Sequence, residues 1–300
     1  MSLHKTDFNL LKAFDALMQT RHVTRAAQLA GIGQPGMSAA LSRLRETFQD
    51  DLLVRQGGEM VPTPRALALE PDIRRVLREI GRLVEEPDNF DPRASTRCVP
   101  IRLSDLLSRL LLPGLLECLS RDAPGMELEI LHLSPDATVD ALEQNRIELA
   151  VSTDLRAPKS IRSEFFFRDR VVIAARGDHP DLVRLGTLEG FLATSQIKVA
   201  QSPIDDRFAD RQLASLGRRR HVRATVPHWL AVPDIVAQSD LVAILPHSIA
   251  SKTQAQYGLA LLEPPFPDTT FDWSLYWHRR LADDPSILFL RERIMRIRPD

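Results

Sequence analysis

The stretch VTRAAQLAGIGQPGMSAALSRLRETFQDDLLVR, residues 23–55, decides how the front of this chain folds. It reads as two short helices about a tight turn, followed by a basic strand. The first helix is expected over 24–30, opened by Thr24, whose hydroxyl can cap free amides. Ala26, Ala27 and Ala30 leave little bulk, so a second helix can cross closely. Gly31-Ile32-Gly33 supplies the turn, because glycine tolerates the left-handed conformation that ends a helix. Gln34-Pro35 opens the next helix, with proline in a first-turn position where its missing N–H costs nothing. Met37, Leu41 and Leu44 repeat at helical spacing and should face inward. Ser38, Ser42, Arg43 and Arg45 point elsewhere, as donors that a DNA groove could receive. The pattern is a helix-turn-helix, and double-stranded DNA is the partner it implies.

Outward from this stretch, residues 7–20 form an amphipathic helix with Phe8, Leu11, Phe14, Leu17 and Met18 on one face, completing a small three-helix core. Residues 52–61 read as a hairpin about Gly57-Gly58, the order of a winged helix-turn-helix. Arg55 on that wing is placed to meet a phosphate. The expected DNA contacts are therefore Thr24, Arg25, Gln34, Pro35, Ser38, Ser42, Arg43, Arg45 and Arg55. Arg43 and Arg45 cannot both read bases from one narrow face, and one is expected to be a surface charge paired with Glu46.

Pro62-Thr63-Pro64 launches a long helix to about residue 86. Its stripe of Ile73, Val76, Leu77, Ile80, Leu83 and Val84 asks for a partner surface: a second copy of the helix, giving a dimer, or the helix's own domain. Residues 87–96 form a turn-rich linker. Beyond it, strand and helix alternate. Strands are expected at 101–104, 126–133 and 147–152 around helices at 105–120 and 138–145, a βαβαβ unit with a parallel sheet. Residues 162–167 and 170–175 look like paired strands. A second unit follows: strands 196–200, 222–226 and 241–245 about helices 204–216 and 229–238. A returning strand at 271–277 and a helix at 285–297 close the chain. Two α/β halves joined by crossing strands make a cleft, where ligands of such sheets bind beyond the carboxyl ends of the strands.

The 300 residues suggest two domains, and 44% hydrophobic with 26% charged residues describes a soluble globular chain. The formal net charge of −1 carries no global signature of a nucleic-acid binder, although a local basic face can be offset elsewhere. The opening MSLHKTDFNLLKAF lacks a long apolar core, and the apolar run 103–119 is broken by Asp105, Arg109, Pro113 and Glu117. Neither export nor a membrane span is expected, so the cytoplasm is the expected compartment. Cys98 and Cys118 have no metal-ligand spacing, and the scattered histidines offer no metal helix, so no metal or cofactor is expected. GIGQPG at 31–36 matches a dinucleotide fingerprint literally, but it follows a helix rather than a strand. No catalytic motif is present, and the chain is not expected to be an enzyme.

These segments closely resemble the LysR-type transcriptional regulators: residues 7–48, then DDLLVR at 50–55, then MVPTPRA at 60–66. The resemblance spans essentially the whole chain. It implies a winged helix-turn-helix over 1–63, a linker and dimerisation helix over 64–94, and an α/β effector domain over 95–300 built like periplasmic binding proteins. One lobe would comprise about 95–160 and 268–300, the other about 161–267. Family members are usually tetramers acting at promoters, which brings RNA polymerase within reach. IRLSD, TVPHWLAVPDIVAQSDLVAILP, PPFP and LYWHRR are similar to the branch of nodulation and aromatic-degradation regulators, which implies a small, aromatic effector in the cleft. Ser104, Asp105, Ser152, Thr153, Gln201, Ser202, His228 and Phe271 would border it. Asp105 could equally be a helix N-cap, His228 a capping or satisfied histidine, and Phe271 plain core. A small-molecule-binding protein or enzyme with a DNA-binding head is the alternative. Gly33, Gly36, Gln49 and Asp51 depart from the family pattern around the recognition helix and the wing.

Overall fold

The computed structural model describes residues 9–56, 59–84, 90–200 and 208–299. The chain divides into two compact units, Met1–Asn89 and Phe90–Asp300. Phe8, Gly57-Gly58, the side chains of Leu83 and Val84, and the candidates Gln201 and Ser202 lie outside the described residues.

In the first unit, helices α1 (Asn9–Thr20), α2 (Val23–Leu29) and α3 (Gln34–Phe48) precede the antiparallel hairpin of β1 (Leu53–Gln56) and β2 (Glu59–Pro62), and α4 (Pro64–Val84) follows. Leu10, Phe14 and Leu17 of α1 bury against Ala26 and Ala27 of α2 and Met37, Leu41 and Leu44 of α3. The α2 helix begins one residue before the expected Thr24, and His22 is its N-cap, with Nδ1 accepting from the Arg25 amide. Gly31, at φ +66°, turns the chain while the Ile32 amide returns to the Ala27 carbonyl, the closing bond of a helix C-cap. Pro35 stands in the first turn of α3.

The stripe on α4 is divided. Ile73 is buried with Leu69 and Leu77 against this unit's own core, and Arg74 pairs with Asp15 at 3.0 Å, whereas Leu67 and Val76 are exposed. Among the described side chains of the stripe, Ile73, Val76 and Leu77 therefore do not share one exposed, partner-seeking face. Pitch explains it: residues 73 and 77 lie about 40° apart on one face, whereas residue 76 lies about 60° from 73 on the other side, about 100° from 77.

The second unit holds β3 (Cys98–Arg102), α5 (Asp105–Asp122), β4 (Glu127–Leu131), α6 (Pro135–Glu143), β5 (Leu149–Thr153), β6 (Ile161–Arg176), α7 (Leu188–Ala193), β7 (Gln196–Val199), α8 (Ala209–Ser215), β8 (Val222–Val226), α9 (Val232–Ala237), β9 (Val242–Pro246), α10 (His247–Tyr257), β10 (Leu259–Leu262), β11 (Thr270–His278) and α11 (Pro285–Arg296). The sheet runs β4-β3-β5-β11-β6-β9-β7-β8, with β10 also on β6. Each half places its first parallel strand in the middle: β3 between β4 and β5, β7 between β8 and β9. The segments expected as two paired strands at 162–167 and 170–175 are one continuous strand, β6. Its Ile161–Arg170 stretch pairs with β11, and from Val171 it pairs with β9 and β10, so one strand belongs to both halves. The polar run Arg168-Asp169-Arg170 resembles a turn in sequence. It stays extended because Arg168 pairs with Asp272, Arg170 pairs with Glu263, and Asp169 accepts from the Ser248 amide.

Candidate functional site: a DNA-reading head and a two-lobed cleft

On α3, Ser38, Ser42 and Arg43 are exposed opposite the buried Met37, Leu41 and Leu44, and Gln34 and Pro35 are exposed at its start. Among the described residues, no side-chain hydrogen bond or ion pair engages Ser38, Ser42 or Arg43. Arg25 is exposed on α2, Thr24 is half-buried, and Arg55 is exposed on β1. Arg45 differs. Its Nε donates to the Asp51 carbonyl and its Nη2 to the Leu53 carbonyl, both at 2.8 Å, so it fastens α3 to the base of the wing instead of pairing with Glu46.

The turn between α3 and the wing carries its own support. Gln49 ends α3 at φ 50°, and Leu52, fully buried, sits at φ 58°. The Asp50 carboxylate accepts from the Leu52 amide at 2.7 Å and from the Thr63 hydroxyl, and these bonds hold it below the usual carboxylate range. Thr63 in turn caps α4 by accepting from the Ala66 amide. Gly36 is not demanded by packing, since a β-carbon there would meet only Ile32 Cδ1 at 4.0 Å.

In the second unit, the polar candidates gather beyond the carboxyl ends of the parallel strands, as the topology requires. Ser104, following β3, is buried and is itself the N-cap of α5, accepting from the Leu107 amide. Asp105 is thus not the cap. Its Oδ2 accepts from the Leu230 amide at 2.8 Å, a bond from one half of the sheet to the other. Leu230 is available because α9 begins at Val232 rather than at 229. Ser152 and Thr153 are buried at the end of β5, and the Ser152 hydroxyl has no hydrogen-bond partner among the described residues. Beyond them Asp154, at φ 42°, meets Arg211 of α8 at 2.8 Å, a second link between the halves.

Between these halves lies a cavity of about 110 Å³ whose walls include Thr153, Asp154, Phe208, Arg211 and Phe271. Phe271 packs edge-on to Phe208 at 4.8 Å and to Trp273 at 5.5 Å, and Phe208 packs edge-on to Trp229 at 5.6 Å. Trp273 belongs to the core, with its indole Nε1 buried and unpartnered among the described residues, while Phe271 faces the cavity.

His228 is exposed, neither buried nor the cap of α9, and its ring lies 5.2 Å from that of His132. Burial pushes the His132 imidazolium below its ordinary pKa; Asp105 opposes this, and Arg102 and His228 add to it. His132, Phe208, Arg211 and Trp229 were not singled out by sequence reasoning. Only Phe208 and Trp229 carried a signal, as aromatic residues beside strand-to-helix junctions.

A winged helix-turn-helix with an unspent polar recognition face, on a chain whose larger unit is a two-halved α/β cleft domain, defines a ligand-responsive DNA-binding regulator. The model of the bacterial regulatory helix-turn-helix protein, lysR family, matches residues 8–67, and the LysR substrate binding domain matches residues 99–296. The chain belongs to the LysR family of DNA-binding transcriptional regulators. It is 30% identical over 294 residues to the HTH-type transcriptional activator NagR of a Ralstonia species, covering 97% of both chains. Nodulation protein D 1 of Neorhizobium galegae is 30% identical over 293 residues, covering 97% of this chain and 94% of that protein. A crystal structure of the probable transcriptional regulator PA0477 from Pseudomonas aeruginosa superposes with TM-score 0.82 at 35% identity, covering 97% of each chain. No described helix is long and apolar enough to cross a membrane.

Proposed function

We propose that the chain reads promoter DNA through α3 and the wing and is switched by a small aromatic effector, carboxylated or phenolic, held between the halves of its second unit. The observation that carries the effector class is the cavity in which Phe208 and Phe271 face a guanidinium, Arg211, and a hydroxyl, Thr153. An aromatic ring fits the edge-on geometry of those phenyls, and an acidic substituent suits the arginine. Asp105 and Asp154 oppose a bare carboxylate, so the effector must draw Arg211 away from Asp154. That exchange gives it different affinity for two arrangements of the halves, which a switch requires. Ser104, Ser152 and His228 complete the border of the cleft in this reading. Residues 64–94 act as the linker between a DNA-binding domain over 1–63 and the effector domain over 95–300. Pairing of α4 through its exposed Val76 side with a second copy would give a dimer, and two dimers a tetramer.

On DNA, Ser38, Ser42 and Arg43 address base edges, with Thr24, Arg25, Gln34 and Pro35 around them, and Arg55 meets a phosphate. The test is footprinting on the DNA beside the chain's own coding region, with and without salicylate-like compounds, together with tryptophan emission. Salicylate should change the footprint and the emission of Trp229 and Trp273. Arg55→Ala should weaken binding equally across sequences and lower the salt slope by about one unit. Identical footprints at saturating aromatic, with another metabolite bound, would remove the effector class; a base-selective loss in Arg55→Ala would remove the phosphate role.

A further inference from the structure

Three side chains converge at one end of the sheet, two of them, Asp105 and His228, beside the proposed effector cleft. Asp105 opens α5 just beyond β3, His132 follows the last residue of β4, and His228 lies in the turn between β8 and α9. Each offers one ligand atom, a carboxylate oxygen or an imidazole nitrogen, and these atoms all lie within 4.8 Å of one another. The positions are held from behind. Ser104 caps α5 and so fixes Asp105, and buried Arg102 donates twice to the Leu133 carbonyl, at 3.1 and 2.9 Å, next to His132. The Leu230 amide on Asp105 Oδ2 sets the turn that carries His228. Asp105 Oδ1 is buried and has no hydrogen-bond partner among the described residues, which an isolated carboxylate oxygen rarely tolerates. Both imidazoles are exposed, which leaves a way in from solvent.

We propose that Asp105, His132 and His228 form a binding site for a divalent metal ion of the zinc class. Two imidazole nitrogens and one carboxylate oxygen suit zinc and its late first-row neighbours rather than magnesium or calcium, which prefer all-oxygen sets. Three protein ligands on such an ion stand about 3.4 Å apart in tetrahedral geometry. The exposed imidazoles close the remaining distance by a side-chain rotation of roughly an ångström. Two ligands come from the first βαβαβ half and one from the second, so the ion clasps the same two halves that the Asp105–Leu230 bond already joins. It holds the closed arrangement to the extent that it binds that arrangement better.

The full chain, stripped with EDTA and free of DNA and aromatic compounds, is titrated with Co²⁺ and read by its ligand-field absorption, then challenged with Zn²⁺. The expected result is one ion per chain, displaced by Zn²⁺, with affinity at least tenfold weaker in His132→Ala and in His228→Ala. His221→Ala, outside the cluster, should bind as the wild type does. Asp105→Asn keeps an oxygen for the Leu230 amide and so keeps the fold, yet should also weaken the ion, and near-UV circular dichroism checks each variant. No stoichiometric binding, or equal affinity in the wild type and the two cluster histidine variants, overturns the site. Because neither DNA nor effector is present, that failure leaves the regulatory reading untouched.

Discussion

In the first unit the side chains proposed to meet DNA stand outside the packing, whereas in the second unit several of those proposed to line the cleft are built into it. Ser38, Ser42, Arg43 and Arg55 are exposed, and the core beneath them would be unchanged by their loss. Ser104, Ser152 and Thr153 are buried, Asp105 holds an amide across the cleft, and Arg211 holds Asp154. The head therefore presents a finished surface to a rigid duplex. The effector proposed for the cleft would exchange internal bonds such as Arg211–Asp154 for external ones, and that exchange would give it different affinity for two arrangements.

The largest difference should appear in ion pairs. Arg97 reaches Glu148 at 2.7 Å and Asp284 at 2.9 Å, and the Glu148 side chain is wholly buried. Burial disfavours the Arg97 charge, but the two carboxylates outweigh it and raise its pKa. Arg97→Ala removes the arginine charge from the buried Glu148 carboxylate and should cost about 3–5 kcal/mol in urea unfolding of the second unit. Arg74→Ala removes the Asp15 pair in the first unit, where both side chains keep a quarter to a third of their exposure. That variant should lose about 0.2–1 kcal/mol. Equal losses would break the comparison.

The same contrast governs what was legible in the sequence. In the first unit every element follows from neighbours within a turn or a hairpin, so α1 to α4 and the wing emerge from periodicity and Gly-Pro punctuation alone. The exceptions are local too: His22 rather than Thr24 caps α2, because Val23 already has helical geometry. In the second unit, α10 and β10 went unread. HSIASKTQAQY buries only Ile249, Ala250 and Thr253, too thin a stripe to register as a helix. The continuity of β6 was hidden because the pairs that keep Arg168 and Arg170 extended lie on β11 and beside β10, far along the chain. His132 and Arg211 escaped for the same reason: their partners lie across the cleft, and no spacing in one sequence reveals such a pairing.

A finer contrast lies within α3, between two arginines two residues apart. Arg43 is spent on nothing among the described residues, and Arg45 donates to the carbonyls of Asp51 and Leu53. Arg45→Ala should lower stability by about 1.5–3 kcal/mol through those charge-assisted bonds. Arg43→Ala should leave thermal unfolding unchanged and weaken operator binding by about 1–3 kcal/mol if it reads a base. Thermal melts beside DNA titrations of both variants decide it. If Arg43→Ala melts early and binds normally, the two roles have been assigned the wrong way round.

The smallest effect tests the turn that departs from the family pattern. Gln49 occupies the left-handed region at φ 50°, where a β-carbon crowds the following carbonyl at a cost of about 1–2 kcal/mol. Glycine would remove that crowding, but it widens the unfolded ensemble by about 0.4–1 kcal/mol and forfeits the bond from the Gln49 amide group to the Glu46 carbonyl at 2.7 Å. Gln49→Gly should therefore stabilise the first unit by less than about 1 kcal/mol. The neighbouring anchors set the bend: Asp50 on the Leu52 amide and on Thr63, and Arg45 on Asp51 and Leu53, all lie beyond residue 49. The wing should keep its angle, and operator affinity should stay within twofold of wild type. A variant that gains stability but loses affinity would mean that Gln49 itself touches DNA, and the polar surface of the head would then extend past α3 into its turn.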